Sequence, residues 1–170
     1  MPAFLAALST LLAVVLATAA AHKLIARDRL ALATSHLTRM PPALARVLSL
    51  CAAGWEALAA LALVVPATRL WGALLASGLW SLYALLTWRA QRAGHAFDCG
   101  CSFTSRKRSA DPLTVARAIT LALFAALAAL VPGDPLYDIA SVLAGIAFFI
   151  LAVAGGELAD LAPLRRRLVQ

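Results

Sequence analysis

An all-α integral membrane protein, a bundle of about five transmembrane helices, is the fold class this sequence predicts. Of its 170 residues 63% are hydrophobic, and the mean hydropathy is +0.87, well above the roughly half-apolar usage of soluble domains. The apolar residues fall in long blocks with few or no charges: 3–21, 47–65, 70–88, 113–131 and 139–156. A run of about 20 residues at 1.5 Å each crosses the ~30 Å hydrocarbon layer, where a helix satisfies its own backbone. Residues 1–170 therefore read as a single polytopic membrane domain with no soluble domain attached.

The first block, Ala3–Ala21, is long enough to span. Ala17-Thr18-Ala19 and Ala19-Ala20-Ala21 resemble signal-peptidase sites, but Met1–Ala21 holds no Lys or Arg, and a secretory signal needs a basic start. A retained span is the expectation. Between the first two blocks, Pro41-Pro42 breaks any helix continuing from the first, and the stretch before it suits a short interfacial helix. The second block, Val47–Val65, carries one charge, Glu56, close to its midpoint. Pro66 closes it and Arg69 follows, so the second and third spans form a tight antiparallel hairpin. Leu70–Trp88 has no charge. Residues 89–112 form a polar loop, and Leu113–Val131 carries only Arg117 near its start. Pro132-Gly133-Asp134-Pro135 makes a turn before the uncharged block Ile139–Gly156. Small residues recur in the spans and permit close helix approach in lipid, but none forms a GxxxG pair. The tryptophans read as packing and interface-belt residues.

The net charge of +7 does not indicate a nucleic-acid partner, because its distribution is topological. Lys23, Arg27, Arg29, Arg39 and Arg46 lie in the first long connection; Arg89, Arg92, Arg106, Lys107 and Arg108 lie in the second; Arg165, Arg166 and Arg167 lie in the tail. Thirteen of the fifteen basic residues thus share one side, with Arg117 just inside it and Arg69 alone opposite. Basic loops stay cytoplasmic, so a multi-pass membrane protein is expected, with its N-terminus outside and its C-terminus inside. Membrane lipid, including anionic lipid, is the partner this charge implies.

The same alternation gathers the chemistry-bearing residues at the basic end: His22, Lys23, Cys51, the loop with Asp98-Cys99-Gly100-Cys101, and Arg117. Cys99 and Cys101 are two apart, and Gly100 lets the backbone bend enough for a disulfide. Such a strained or exposed bond has the oxidising potential of a catalytic one. Two inert thiols, or half of a metal site with His95 and Asp98, are the competing readings. Zinc sites usually space their cysteines more widely and need four ligands, so no metal is assigned. Cys51, roughly 6 Å into its span at helical rise, is either a small buried hydrophobe or a resolving thiol for that pair.

A carboxyl at the depth of Glu56 costs about 2.5–3.5 kcal/mol on insertion scales and is by default functional and partnered. A lone carboxyl there would be neutral. It either locks helices through a hydrogen bond, or carries protons, or binds a quinone, the one cofactor this reading admits. Cys51 and Glu56 sit about 140° apart on an α-helix. Arg117 either snorkels to the interface or pairs with Glu56 or a thiolate. Lys23 and His22 read first as interface anchors, with His22 also able to move a proton for thiol exchange.

Taken together, Ala21-His22-Lys23-Leu24 closing the first span, Glu56 in the second, Asp98-Cys99-Gly100-Cys101 after the third and Arg117 opening the fourth resemble the MauE family. This is a methylamine utilisation group within the wider DoxX-like set of redox-associated membrane proteins. The resemblance covers essentially the whole chain. It implies a four-helix core plus one further helix, and a protein assisting maturation of the disulfide-rich small subunit of periplasmic methylamine dehydrogenase. A thioredoxin-like MauD-type partner is implied with it. Cys99, Cys101, Cys51 and Glu56 would then be the catalytic candidates, and Arg117, His22 and Lys23 the candidates for binding a cofactor. A non-catalytic assembly or translocation factor, or a quinone-linked redox subunit, are the alternatives.

Overall fold

Prolines open three of the helices, at Pro2, Pro42 and Pro112. They lack the N–H that a first helical turn leaves unbonded anyway, so they suit helix starts. The computed structural model describes residues 2–92, 112–132, 135 and 137–168, with side chains as far as Gly155. Within these residues lie six α-helices: α1 (Pro2–Ile25), α2 (Arg27–Thr38), α3 (Pro42–Val64), α4 (Arg69–Arg92), α5 (Pro112–Leu130) and α6 (Ile139–Leu168). A 3₁₀ turn, Pro66–Thr68, joins α3 to α4, and no strand occurs among the described residues. The protein is an all-α membrane bundle. Helices α1, α3, α4 and α5 are long and apolar enough to cross a bilayer, and the apolar part of α6, Ile139–Gly155, is shorter.

Helix α2 follows α1 after the single residue Ala26, whose N–H bonds the His22 carbonyl at 2.9 Å. It lies against the N-terminal half of α3, where Asp28 meets Arg46 at 2.7 Å. Both partners of that pair are exposed, so it contributes little. Arg39 ends α2 at φ 58°, a left-handed conformation that places Pro41 and Pro42 at the start of α3.

Chain direction alternates through the bundle. Ser77 on α4 donates to the Ala122 carbonyl of α5 at 3.2 Å, and Arg69 at the start of α4 reaches Ala128 and Val131 at the end of α5. Helices α4 and α5 are therefore antiparallel neighbours. One end of the bundle gathers the C-terminal turns of α1 and α4 and the N-terminal turns of α3 and α5, where the basic residues lie. The other end is closed by side chains that bond helix-terminal groups, which lipid cannot satisfy. Arg69 bonds carbonyls of the α5 terminus although it is only 7% exposed. Tyr137 donates to the Leu63 carbonyl at the end of α3 at 2.7 Å. Burial pushes the Tyr137 hydroxyl's pKa up, against the pull of the Ser9 hydroxyl and the Arg69 guanidinium. Asp138 caps α6 by accepting the Ser141 N–H at 2.7 Å, and the Ser141 hydrogen bonds hold its carboxyl below the usual carboxylate range.

The interior is alanine and leucine: Leu12, Leu16, Leu63, Ala73, Ala76 and Ala125 pack in one cluster with Trp80. Outward-facing residues are as apolar as the core, with Leu58, Leu61, Trp71, Leu123 and Phe148 all exposed. Such a surface has lipid as its solvent.

Candidate functional site

The inward face of α3 runs Ala45, Ser49, Ala53, Glu56, Ala60, Leu63, steps of three and four that keep one stripe of the helix inside. Glu56 is the sole charge on that stripe. Its side chain is 1% exposed. The small neighbours let α1 and α4 approach, and each delivers one polar side chain to the carboxylate.

From α1 comes Lys23. Side chains on an α-helix lean toward its N-terminus, so a lysine in the last turn of α1 is directed back into the bundle. Lys23 Nζ meets Glu56 Oε1 at 2.6 Å, and its side chain remains 18% exposed. From α4 comes Tyr83, whose hydroxyl donates to the same Oε1 at 2.9 Å. The Lys23 ammonium also lies 5.3 Å from the centroid of the Tyr83 ring, within cation–π range. Each of the three side chains thus touches the other two.

The two carboxylate oxygens are unequal. Oε1 accepts from both donors, whereas Oε2 is buried and has no hydrogen-bond partner among the described residues. A buried polar atom in that state is an open acceptor. The Lys23 ammonium lies at charge-assisted distance, so the partner expected for Glu56 comes from α1. Lys23 is correspondingly not an outward-reaching anchor. Its position near the exposed end of the span suggests snorkelling, and only the lean of the side chain shows the opposite.

Tyr83 escaped the sequence reading. The available signal was a hydroxyl-bearing aromatic inside the otherwise apolar block 70–88, where a polar tip needs a partner.

The remaining candidates are distributed as follows. Cys51 is a free thiol on the exposed side of α3, across the helix from Glu56. Arg117 is exposed in the second turn of α5, and the partner of Glu56 is Lys23 rather than Arg117. His22 is half-buried next to Lys23. Cys99 and Cys101, with His95 and Asp98, lie outside the described residues. No cluster of metal-binding side chains occurs among the described residues.

The sequence of residues 1–132 matches the family of the methylamine utilisation protein MauE. The chain belongs to the MauE family. That match spans α1 to α5 and so includes Lys23, Glu56 and Tyr83, along with Cys99 and Cys101; α6 follows it. No curated protein and no solved structure matches the chain. Membership makes this a membrane protein involved in methylamine utilisation. The Lys23–Glu56–Tyr83 cluster is then the polar feature of a MauE-family bundle that its apolar spans least explain.

Proposed function

We propose that this MauE-family protein is a thiol–disulfide redox accessory of the inner membrane, serving maturation of the methylamine dehydrogenase small subunit. Cys99 and Cys101 are the exchanging pair, Cys51 a relay, and Glu56 the group that handles the accompanying proton. The exchange is a two-electron dithiol–disulfide swap; with the basic loops cytoplasmic and the client periplasmic, its electrons cross the bilayer through Cys51 or a quinone. A dithiol on the client, or on a MauD-type thioredoxin-like partner, reduces the Cys99–Cys101 disulfide and is itself oxidised, two electrons passing with two protons. A membrane quinone is the class of acceptor that would restore the disulfide.

One observation supports this reading above the others: a buried carboxylate has one oxygen fixed by Lys23 and Tyr83 and the other without a partner among the described residues. It does so near the middle of the bundle, where α3 is flanked by α1 and α4. Most buried polar atoms have a partner, so the open Oε2 is the acceptor that proton handling needs.

The experiment pairs client maturation with redox trapping. Replacing Cys99 and Cys101 by Ser is expected to abolish disulfide formation in the client, and alkylation is expected to catch the wild-type pair in both oxidation states. Intact maturation in the double variant would sink the proposal. A pair that never changes oxidation state would favour a non-catalytic assembly or translocation factor instead.

A further inference from the structure

On the bilayer-facing side of α4 and α5 lies a groove of about 420 Å³ lined by Ser81, Ala84, Leu85 and Trp88 of α4 and by Ile119 of α5. The α4 residues recur at steps of three and four, so they form one stripe about 10 Å long at 1.5 Å per residue. Eleven positions after Ser81 the same stripe reaches Arg92. Its guanidinium leans back onto the Trp88 ring, 4.2 Å from the centroid. Arg89 flanks it on the exposed surface.

We propose that this groove is a binding site for one anionic phospholipid. Read from the end of α4 downward, the stripe presents a cation, an amphipathic aromatic, then aliphatic wall. A phospholipid presents its phosphate, glycerol and acyl chain in the same order and at the same depths. The acyl chain fills the groove beside Leu85 and Ile119, Trp88 packs at the glycerol level, and Arg92 with Arg89 meets the phosphate. Other apolar occupants lack the charge match. A second copy of this chain, inserted the same way, would bring its own Arg92 to the same level. An uncharged transmembrane segment would leave the arginines facing lipid without an anion.

The test uses the full-length protein in nanodiscs of phosphatidylglycerol and phosphatidylcholine in equal amounts, extracted gently and weighed by native mass spectrometry. One phosphatidylglycerol retained per chain, in preference to phosphatidylcholine, is the expected result. Arg92→Gln and Arg89→Gln should each reduce that preference about fivefold, the factor that about one basic contact near an anionic surface supplies. Ser81→Phe should block the foot of the groove and lower retention of both lipids while leaving helicity unchanged. Equal retention of the two lipids by the wild-type chain would overturn the headgroup assignment. Unchanged retention in Ser81→Phe, or a dimer in place of a lipid adduct, would overturn the groove as the site.

Discussion

At the scale of single residues, Lys23 and Glu56 are costly separately and tolerable together. A charge at mid-membrane is expelled or neutralised unless another side chain meets it; here the meeting occurs at 2.6 Å with Tyr83 closing the third side. Removing one partner leaves the other buried and uncompensated, whereas removing both leaves only a packing change. Lys23→Met is therefore expected to destabilise the bundle by about 3–5 kcal/mol, and Lys23→Met/Glu56→Leu by distinctly less. Unfolding titrations in mixed micelles measure these and Glu56→Leu alone, and a double-variant loss equal to the sum of the two single losses would show that the pair is not coupled. Glu56 could be singled out from sequence because a lone charge in an apolar block is visible by itself. Its partners could not: Lys23 looks like a helix-end anchor until its lean is known, and Tyr83 is twenty-seven positions away on another span. Cys51 shows the reverse case, since its five-residue offset from Glu56 already places it on another face, and it lies on the exposed side.

At the scale of helices, the punctuation was legible and the contacts were not. Pro41-Pro42 and Pro66 stand at boundaries because their chemistry permits little else, and the stretch before Pro41 forms α2 as its polar, uninterrupted character suggests. Which glycine lets which pair of helices close is written only in three dimensions. A Cβ on Gly145 of α6 would lie 2.6 Å from the Ala7 carbonyl oxygen of α1, and one on Gly72 of α4 would lie 2.6 Å from the Leu63 nitrogen of α3. Both clashes are with backbone, so the helices themselves must separate. Gly78, on α4 as well, would meet nothing within 4 Å. Gly145→Ala is expected to lower stability by about 1–3 kcal/mol. Gly78→Ala should be neutral or stabilising by about 0.5–1 kcal/mol, since alanine favours helix. Thermal melting of the purified protein separates the two, and a Gly145→Ala variant as stable as wild type would deny the close α1–α6 approach.

At the scale of the whole molecule, the two ends of the bundle differ in a way that bears on insertion. Long basic connections mark one end in the sequence, with Arg69 as the exception at the other. In the fold Arg69 is no loop charge: it is buried and bonded to the carbonyls that finish α5. In the folded bundle the far end therefore carries no exposed Lys or Arg among the described residues. The bundle class was readable from hydropathy because lipid permits so few architectures. The relation of Cys99 and Cys101 to Glu56 was not, because periodicity carries no information about where a polar connection settles. Orientation is accessible to experiment without them. In a background lacking the native cysteines, Ala67→Cys marks the exposed turn between α3 and α4, and His36→Cys marks the exposed face of α2. A membrane-impermeant thiol reagent applied to intact spheroplasts should label Ala67→Cys at once and His36→Cys only after lysis. The opposite pattern would place the basic end in the periplasm, facing the client directly and making any transfer of electrons across the membrane unnecessary.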